Sequence, residues 1–234
     1  MLLAVLSLCA VGAMPAPAWQ EREDFARLLA DAGATGTIVV LDEEAKRWHV
    51  TNRARAQQGF LPASTFEVFN ALVALDAGHV EPALVAADSL AHDALARRTG
   101  EPRMRAALGR AGYGNGDLRA GVDRFWREGG FRVTPLEQIT LLQHLADATL
   151  PFSPRSQDAV TRSMELERGD GWVLRGKTGA PPTLGDGAAG WFVGWVERDE
   201  RRWFVAVNID VREPGLAPQR AALARAALAG VGAL

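Results

Sequence analysis

Two short stretches stand out, the first with a residue type suited to acyl transfer. The first is Pro62-Ala63-Ser64-Thr65-Phe66-Glu67, which runs into the apolar segment Val68-Phe69-Asn70-Ala71-Leu72. Pro62 favours an extended approach, and Phe66, Phe69, Val73 and Ala77 fall on one helical stripe. Ser64 is therefore expected at or beside a helix N-terminus, where free backbone N–H groups and the positive dipole end favour developing negative charge. A serine so placed can act as an acyl-transfer nucleophile. The same Ser-x-x-Glu spacing before an apolar run also describes an N-terminal capping box, with Glu67 accepting Ser64 N–H. Taken alone, the stretch leaves both readings open. The second stretch, Lys177-Thr178-Gly179, lies on a strand-like segment entering a Pro/Gly loop.

The elements that must position these residues fit within 234 residues, enough for one large domain with a proper core. Apolar content of 48% and charged content of 23% describe an ordinary globular chain. A formal net charge of −2, without a long basic run, argues against a nucleic-acid surface. A single cysteine, Cys9, excludes an internal disulfide and a cysteine metal cluster. His49, His79, His92 and His144 are scattered without metal-ligand spacing, and structural roles are expected for them. No cofactor is expected.

Residues 2–14 form an apolar run, too short for a membrane span, and Ala16-Pro17-Ala18 has the small-x-small form of a cleavage site. No Lys or Arg precedes Arg22, so the usual basic start of an export signal is missing. The reading is nevertheless a signal peptide over 1–18, a domain over 19–234, and a periplasmic location without stable membrane insertion.

Helical spacing runs from Glu21 to Ala32. Strands are expected at 36–42 and 47–52, forming a hairpin. Beyond the Ser64 helix, residues 80–170 read as helices and loops. The clearest helices are Arg103–Ala111, Val122–Glu128 and Pro135–Ala148, the last with Thr134 as a possible N-cap. Strands follow at 172–178, 191–198 and 202–211, and a closing helix at 217–228. Strands at both ends around a helical block imply an α+β fold: one mainly antiparallel sheet from the two chain ends and a helical lobe. The site is expected in the cleft between them.

Further motifs turn this outline toward a family. Tyr113-Gly114-Asn115 follows a helix, and Trp191-Phe192-Val193-Gly194-Trp195-Val196-Glu197 follows Lys177-Thr178-Gly179. Each is weak singly. In this order, after Pro-Ala-Ser-Thr-Phe, they make the chain resemble a class D serine β-lactamase, the oxacillinase type. The resemblance runs through Phe60–Gly78, Tyr113–Leu145 (including Phe125-Trp126-Arg127-Glu128-Gly129) and Gly176–Arg220. It implies the serine β-lactamase and penicillin-binding-protein transpeptidase-like fold and an acyl-serine mechanism. At matched positions it implies Ser64 as nucleophile, with the Ser64 and Ala180 N–H groups forming the oxyanion hole. Lys177 and Thr178, with Gly179, would face the substrate, and Tyr113 and Asn115 would line it. Trp126 would pack over the site and hold the base, and Arg220 would pair with the substrate carboxylate through its forked guanidinium.

Two departures bear on activity. The family motif is Ser-x-x-Lys, its lysine carboxylated by CO₂ to make the base; here Glu67 holds that position and cannot form the carbamate. Its carboxylate would sit about 3–4 Å nearer the backbone than a carbamate's. Glu67 is expected either to reach Ser64 Oγ as a weak substitute base or, preferentially, to close the capping box and suppress hydrolysis. In addition, the stretch between Asp76 and Arg103 is shorter than in the family. Counting back from Ala94–Gly100 puts Ala87 at the position of the family's proton-shuttling Ser-x-Val serine, with Ser89 two residues away as a displaced substitute or a plain helix cap.

The resemblance thus implies a β-lactam hydrolase by descent, acting on a small-molecule β-lactam as a monomer or homodimer. The alternatives are a pseudoenzyme that binds β-lactams or peptidoglycan stem peptides as a sensor, and a slow D,D-peptidase.

Overall fold

A computed structural model describes residues 18–82, 91–180, 183–184 and 188–234. Seven strands form one sheet: β1 (Ala18–Glu21), β2 (Gly36–Asp42), β3 (Arg47–Val50), β4 (Glu165–Gly169), β5 (Trp172–Gly179), β6 (Ala189–Arg198) and β7 (Arg201–Asp210). Their spatial order is β1-β3-β2-β7-β6-β5-β4. Neighbours pair antiparallel except β1, which lies parallel to β3. The two chain ends meet where β2 pairs with β7 from Gly36↔Ile209 to Asp42↔Trp203. This is the expected α+β sheet.

The sheet is covered on both faces, so its central strands are nearly continuous apolar runs rather than alternating ones. On one face, α1 (Glu23–Asp31) and the closing α8 (Gln219–Gly230) bury Phe25, Leu29, Leu223 and Leu228 against Phe192, Val196 and Val205. On the other lies the helical lobe: α2 (Arg53–Ala56), α3 (Glu67–Asp76), α4 (His92–Thr99), α5 (Glu101–Ala111), α6 (Pro135–Ala146) and α7 (Pro154–Ser163). Trp191, Val193 and Trp195 of β6 point into that lobe, meeting Phe66, Phe69, Phe125, Trp126 and Phe131.

The expected helix over Val122–Glu128 is instead a run of turns closed by Phe125 N–H to Gly121 O (3.0 Å) and Glu128 N–H to Arg124 O (3.0 Å). Gly121 (φ 108°) and Gly129 (φ 80°) bracket it in conformations that break a helix on either side. Val122, Phe125 and Trp126 mimic helical spacing because both aromatics turn into the core. At Thr134 the expected cap is present. Its Oγ accepts Glu137 N–H at 3.1 Å, and the Glu137 carboxylate accepts Thr134 N–H at 2.7 Å, a complete capping box. Several elements were not anticipated, β1 and α2 among them. Helix α7 starts on a Ser153 cap with Pro154 in its first turn, a legible signal. Strand β4 is mostly polar and exposed and owes its form to pairing with β5. The proposed export segment lies outside the described residues except Ala18, which pairs with Arg47 in β1. Among the described residues no helix is long and apolar enough to cross a membrane.

Candidate active site

Ser64 lies in a short 3₁₀ turn, Ala63–Phe66, that runs directly into α3. Ala63 is left-handed at φ 50°, unusual for a residue with a Cβ, and a buried scaffold holds it there. Ala63 N–H donates to Trp126 O (2.9 Å), and Trp191 Nε1–H donates to Leu61 O (2.8 Å). A relay of side chains then runs beneath the turn. Tyr113 Oη–H donates to Gln138 Oε1 (2.9 Å), Gln138 Nε2–H to Thr65 Oγ1 (2.7 Å), and Thr65 Oγ1–H to Pro62 O (2.7 Å). Phe66 stacks on Trp126 at 5.2 Å between ring centres, interplanar angle 17°.

Three residues expected at the site have partners within this scaffold. Tyr113 is 2% and Trp126 1% exposed, so both side chains are buried and support the Ser64 turn from below. Burial also pushes the Tyr113 hydroxyl well above its ordinary range, which keeps it a neutral donor. Asn115 braces the next loop: its Nδ2–H donates to Gly130 O (2.8 Å) and its Oδ1 accepts Arg132 N–H (3.0 Å).

Strand β5 closes against the turn. A Cβ at Gly179 would stand 2.8 Å from Pro62 O and 3.1 Å from Thr65 N, so only glycine lets the strand come this near. Side chains alternate along a strand, so Lys177 shares the Gly179 face and points at α3. There Lys177 Nζ meets Glu67 Oε2 at 2.7 Å, with 30% and 21% of the two side chains exposed. Glu67 therefore does not close a capping box. It is the first residue of α3, no side chain caps that helix, and among the described residues Glu67 bonds Ser64 only through its backbone N–H, which donates to Ser64 O, and not through its carboxylate. The half-buried carboxylate takes a cation from the facing strand because the alternative, accepting one neutral N–H, leaves its charge unbalanced.

A residue missed in the sequence joins the pair. His92, at the start of α4, brings Nε2 to 3.7 Å from the same Glu67 Oε2. Its other nitrogen, Nδ1, accepts from Asn70 Nδ2 (3.2 Å), and that amide also donates to His92 O (2.9 Å). With Nδ1 accepting, the neutral ring carries its proton on Nε2, toward Glu67. Burial, followed by Lys177, holds the His92 pKa below its ordinary value, while Glu67 pulls it the other way. Nothing in the spacing of the histidines pointed here. Asn70 was the available signal: it is the one polar residue within the apolar run of α3, one turn beyond Glu67, and it is fully buried.

Residues 88–229 match the family described as the penicillin binding protein transpeptidase domain. The β-lactamase OXA-48 of Klebsiella pneumoniae is 34% identical over 90% of this chain and 89% of its own. The chain belongs to the class D β-lactamase family. The solved class D β-lactamase YbXI from Nostoc superposes with a TM-score of 0.84 at 35% identity, covering 90% of this chain and 99% of that one. The C-terminal domain of the Bacillus licheniformis BlaR penicillin-receptor gives 0.86 at 27% identity, covering 95% and 100%.

In this class D chain the remaining expected residues divide between the two faces of the sheet. Thr178 points to the face opposite Lys177 and is exposed. Arg220, at the start of α8, reaches that face beside Gly190 and donates to Gly179 O through Nη1 and to Ala217 O through Nε. It is 8% exposed without a carboxylate partner among the described residues, and burial lowers its pKa. Neither the Ser64 nor the Ala180 N–H donates to another described residue. Ser89 and Ala87 lie outside the described residues.

Proposed function

We propose that this class D chain binds β-lactams and is acylated by them at Ser64, slowly and with little turnover. One observation carries the reading: the single carboxylate one turn from Ser64 is held by Lys177 at 2.7 Å. In the acylation step the Ser64 oxygen bonds to the lactam carbonyl carbon and the ring C–N bond breaks. The Ser64 proton ends on the released nitrogen. Two unpaired N–H donors, on Ser64 and Ala180, support a developing oxyanion, and the buried Arg220 guanidinium supports recognition of the drug's carboxylate. What the described residues fail to offer is a free base for that proton. General bases contribute about 10²–10⁴-fold in such steps. The same want slows hydrolysis of the acyl ester, which needs a base to activate water.

The rival, a working β-lactamase, has one observation in its favour. Glu67 is three residues beyond Ser64, one helical turn away, and would serve as the base if it left Lys177. The apolar segment 2–14 supports export to the periplasm, where a β-lactam or a peptidoglycan stem peptide would be met. The test is labelling with a fluorescent penicillin. A covalent band that is lost in Ser64→Ala is expected; a band that persists in that variant, or no band after hours, would overturn the proposal.

A further inference from the structure

Lys177 and His92, from β5 and α4, approach the same atom, Glu67 Oε2, at 2.7 and 3.7 Å. From this geometry we propose that His92 is a positioning residue of the Ser64 site, a titrating second partner of Glu67 that decides how firmly the carboxylate is held. It deepens the acyl-transfer reading and rests on it.

Three features fix His92 in this role. Its ring is anchored on one side by the buried Asn70 amide. Its helix is tied down by Asp93 with Arg127 (2.9 Å) and Arg97 with Asp123 (2.7 Å). The charged groups facing the ring are Glu67 from α3, Lys177 from β5 and Asp93 beside it, with Arg127 balancing Asp93. Two charges of opposite sign, one each from α3 and β5, therefore act on one imidazole.

Protonation changes the contacts. An imidazolium carries hydrogens on both nitrogens, so its Nδ1–H would oppose the Asn70 N–H groups that now point at it. The charged ring must give up Asn70 and gains by closing on Glu67. The carboxylate then holds two cations and is a still poorer acceptor for the Ser64 proton. When His92 is neutral, Lys177 alone holds Glu67. The site thus carries a reversible brake, set by pH across the range where histidine titrates, about pH 5 to 8.

The histidine ring signals, with His92 assigned by His92→Gln, give its titration directly by NMR in the full chain. The midpoint is expected to rise in Lys177→Met, which removes a repelling cation, and to fall in Glu67→Gln, which removes the attracting anion. A midpoint unmoved in both variants would overturn the proposal. Rates of penicillin adduct formation supply the second arm. In the wild type they are expected to fall several-fold as His92 becomes charged, along its NMR titration. In His92→Gln, which keeps an N–H donor without a titrating ring, they are expected to be flat across that midpoint; an unchanged acid limb would overturn the role of His92. An absence of adduct at every pH contradicts the acyl-transfer reading alone, while the NMR shifts still decide whether His92 and Lys177 share Glu67.

Discussion

Lys177 Nζ stands 2.7 Å from Glu67 Oε2, which joins the last third of the chain to the first turn of α3 directly beside Ser64. A cation on β5 and an anion on α3 neutralise each other where the family uses a modified lysine. In the proposed reading this pairing is what keeps the Glu67 carboxylate from acting as a free base.

Replacing the anion tests this first. Glu67→Lys sets a second amine against Lys177 in a half-buried place, where like charge and burial both favour its neutral form. A neutral amine can take up CO₂ and become the family's base. Penicillin hydrolysis measured with added bicarbonate is expected to rise by about 10²-fold or more. Turnover equal to that of the wild type would contradict the assignment of Glu67 as the block.

The close approach of β5 depends on Gly179. In Gly179→Ala the new methyl meets Pro62 O and the Thr65 backbone, neither of which can swing aside. A stability loss of about 1–3 kcal/mol in urea unfolding is expected, together with lost penicillin labelling. Unchanged stability and labelling would show that the strand has room to spare.

The relay beneath Ser64 should act on stability. In Gln138→Leu the Tyr113 hydroxyl loses its acceptor and Thr65 Oγ1 its donor, both in the core. Each orphaned buried group costs about 1–3 kcal/mol, so denaturant midpoints should drop clearly. Tyr113→Phe, which orphans only the Gln138 oxygen, should cost less. Equal effects would mean that the relay does not act as described.

Much of the fold was legible because burial writes itself into apolar patterning. The strand at 36–42, the Thr134 cap and the sheet from two chain ends all follow from period and capping chemistry. Ser64, Lys177 and Arg220 were legible as motif residues. The fate of Glu67 was not, because a capping box and an ion pair need the same residue at the same place. Only the arrival of Lys177, 110 positions later in the chain, decides between them. The burial of Trp126 and Tyr113 was not legible for a related reason: a motif marks which residues build a site without saying which ones lie beneath it. His92 was invisible because its partners, Glu67 and Asn70, come from α3, which is not adjacent to it in sequence.

Acid should weaken the fold before it protonates the carboxylates. Burial holds the pKa values of His49, His79 and His92 below the ordinary value of about 6.5. The unfolded chain therefore binds more protons than the native one as pH falls through that value. Stability is full above about pH 6.5 and is lost progressively as pH drops through the lower native pKa values. Urea midpoints should fall between about pH 7.5 and pH 5, and fall less in His49→Gln. A midpoint independent of pH over that range would contradict the buried neutral state of these rings.

The central claim is that Ser64 is acylated but poorly served by a base. Intact-mass measurement of the protein with excess penicillin, followed from minutes to hours alongside the amount of hydrolysed drug, tests it most directly. The account predicts a slowly growing adduct of one drug mass on Ser64, with hydrolysed drug staying near the amount of protein. Hydrolysed drug in many-fold excess over protein would contradict it, and would mean that Glu67 leaves Lys177 and works as the base.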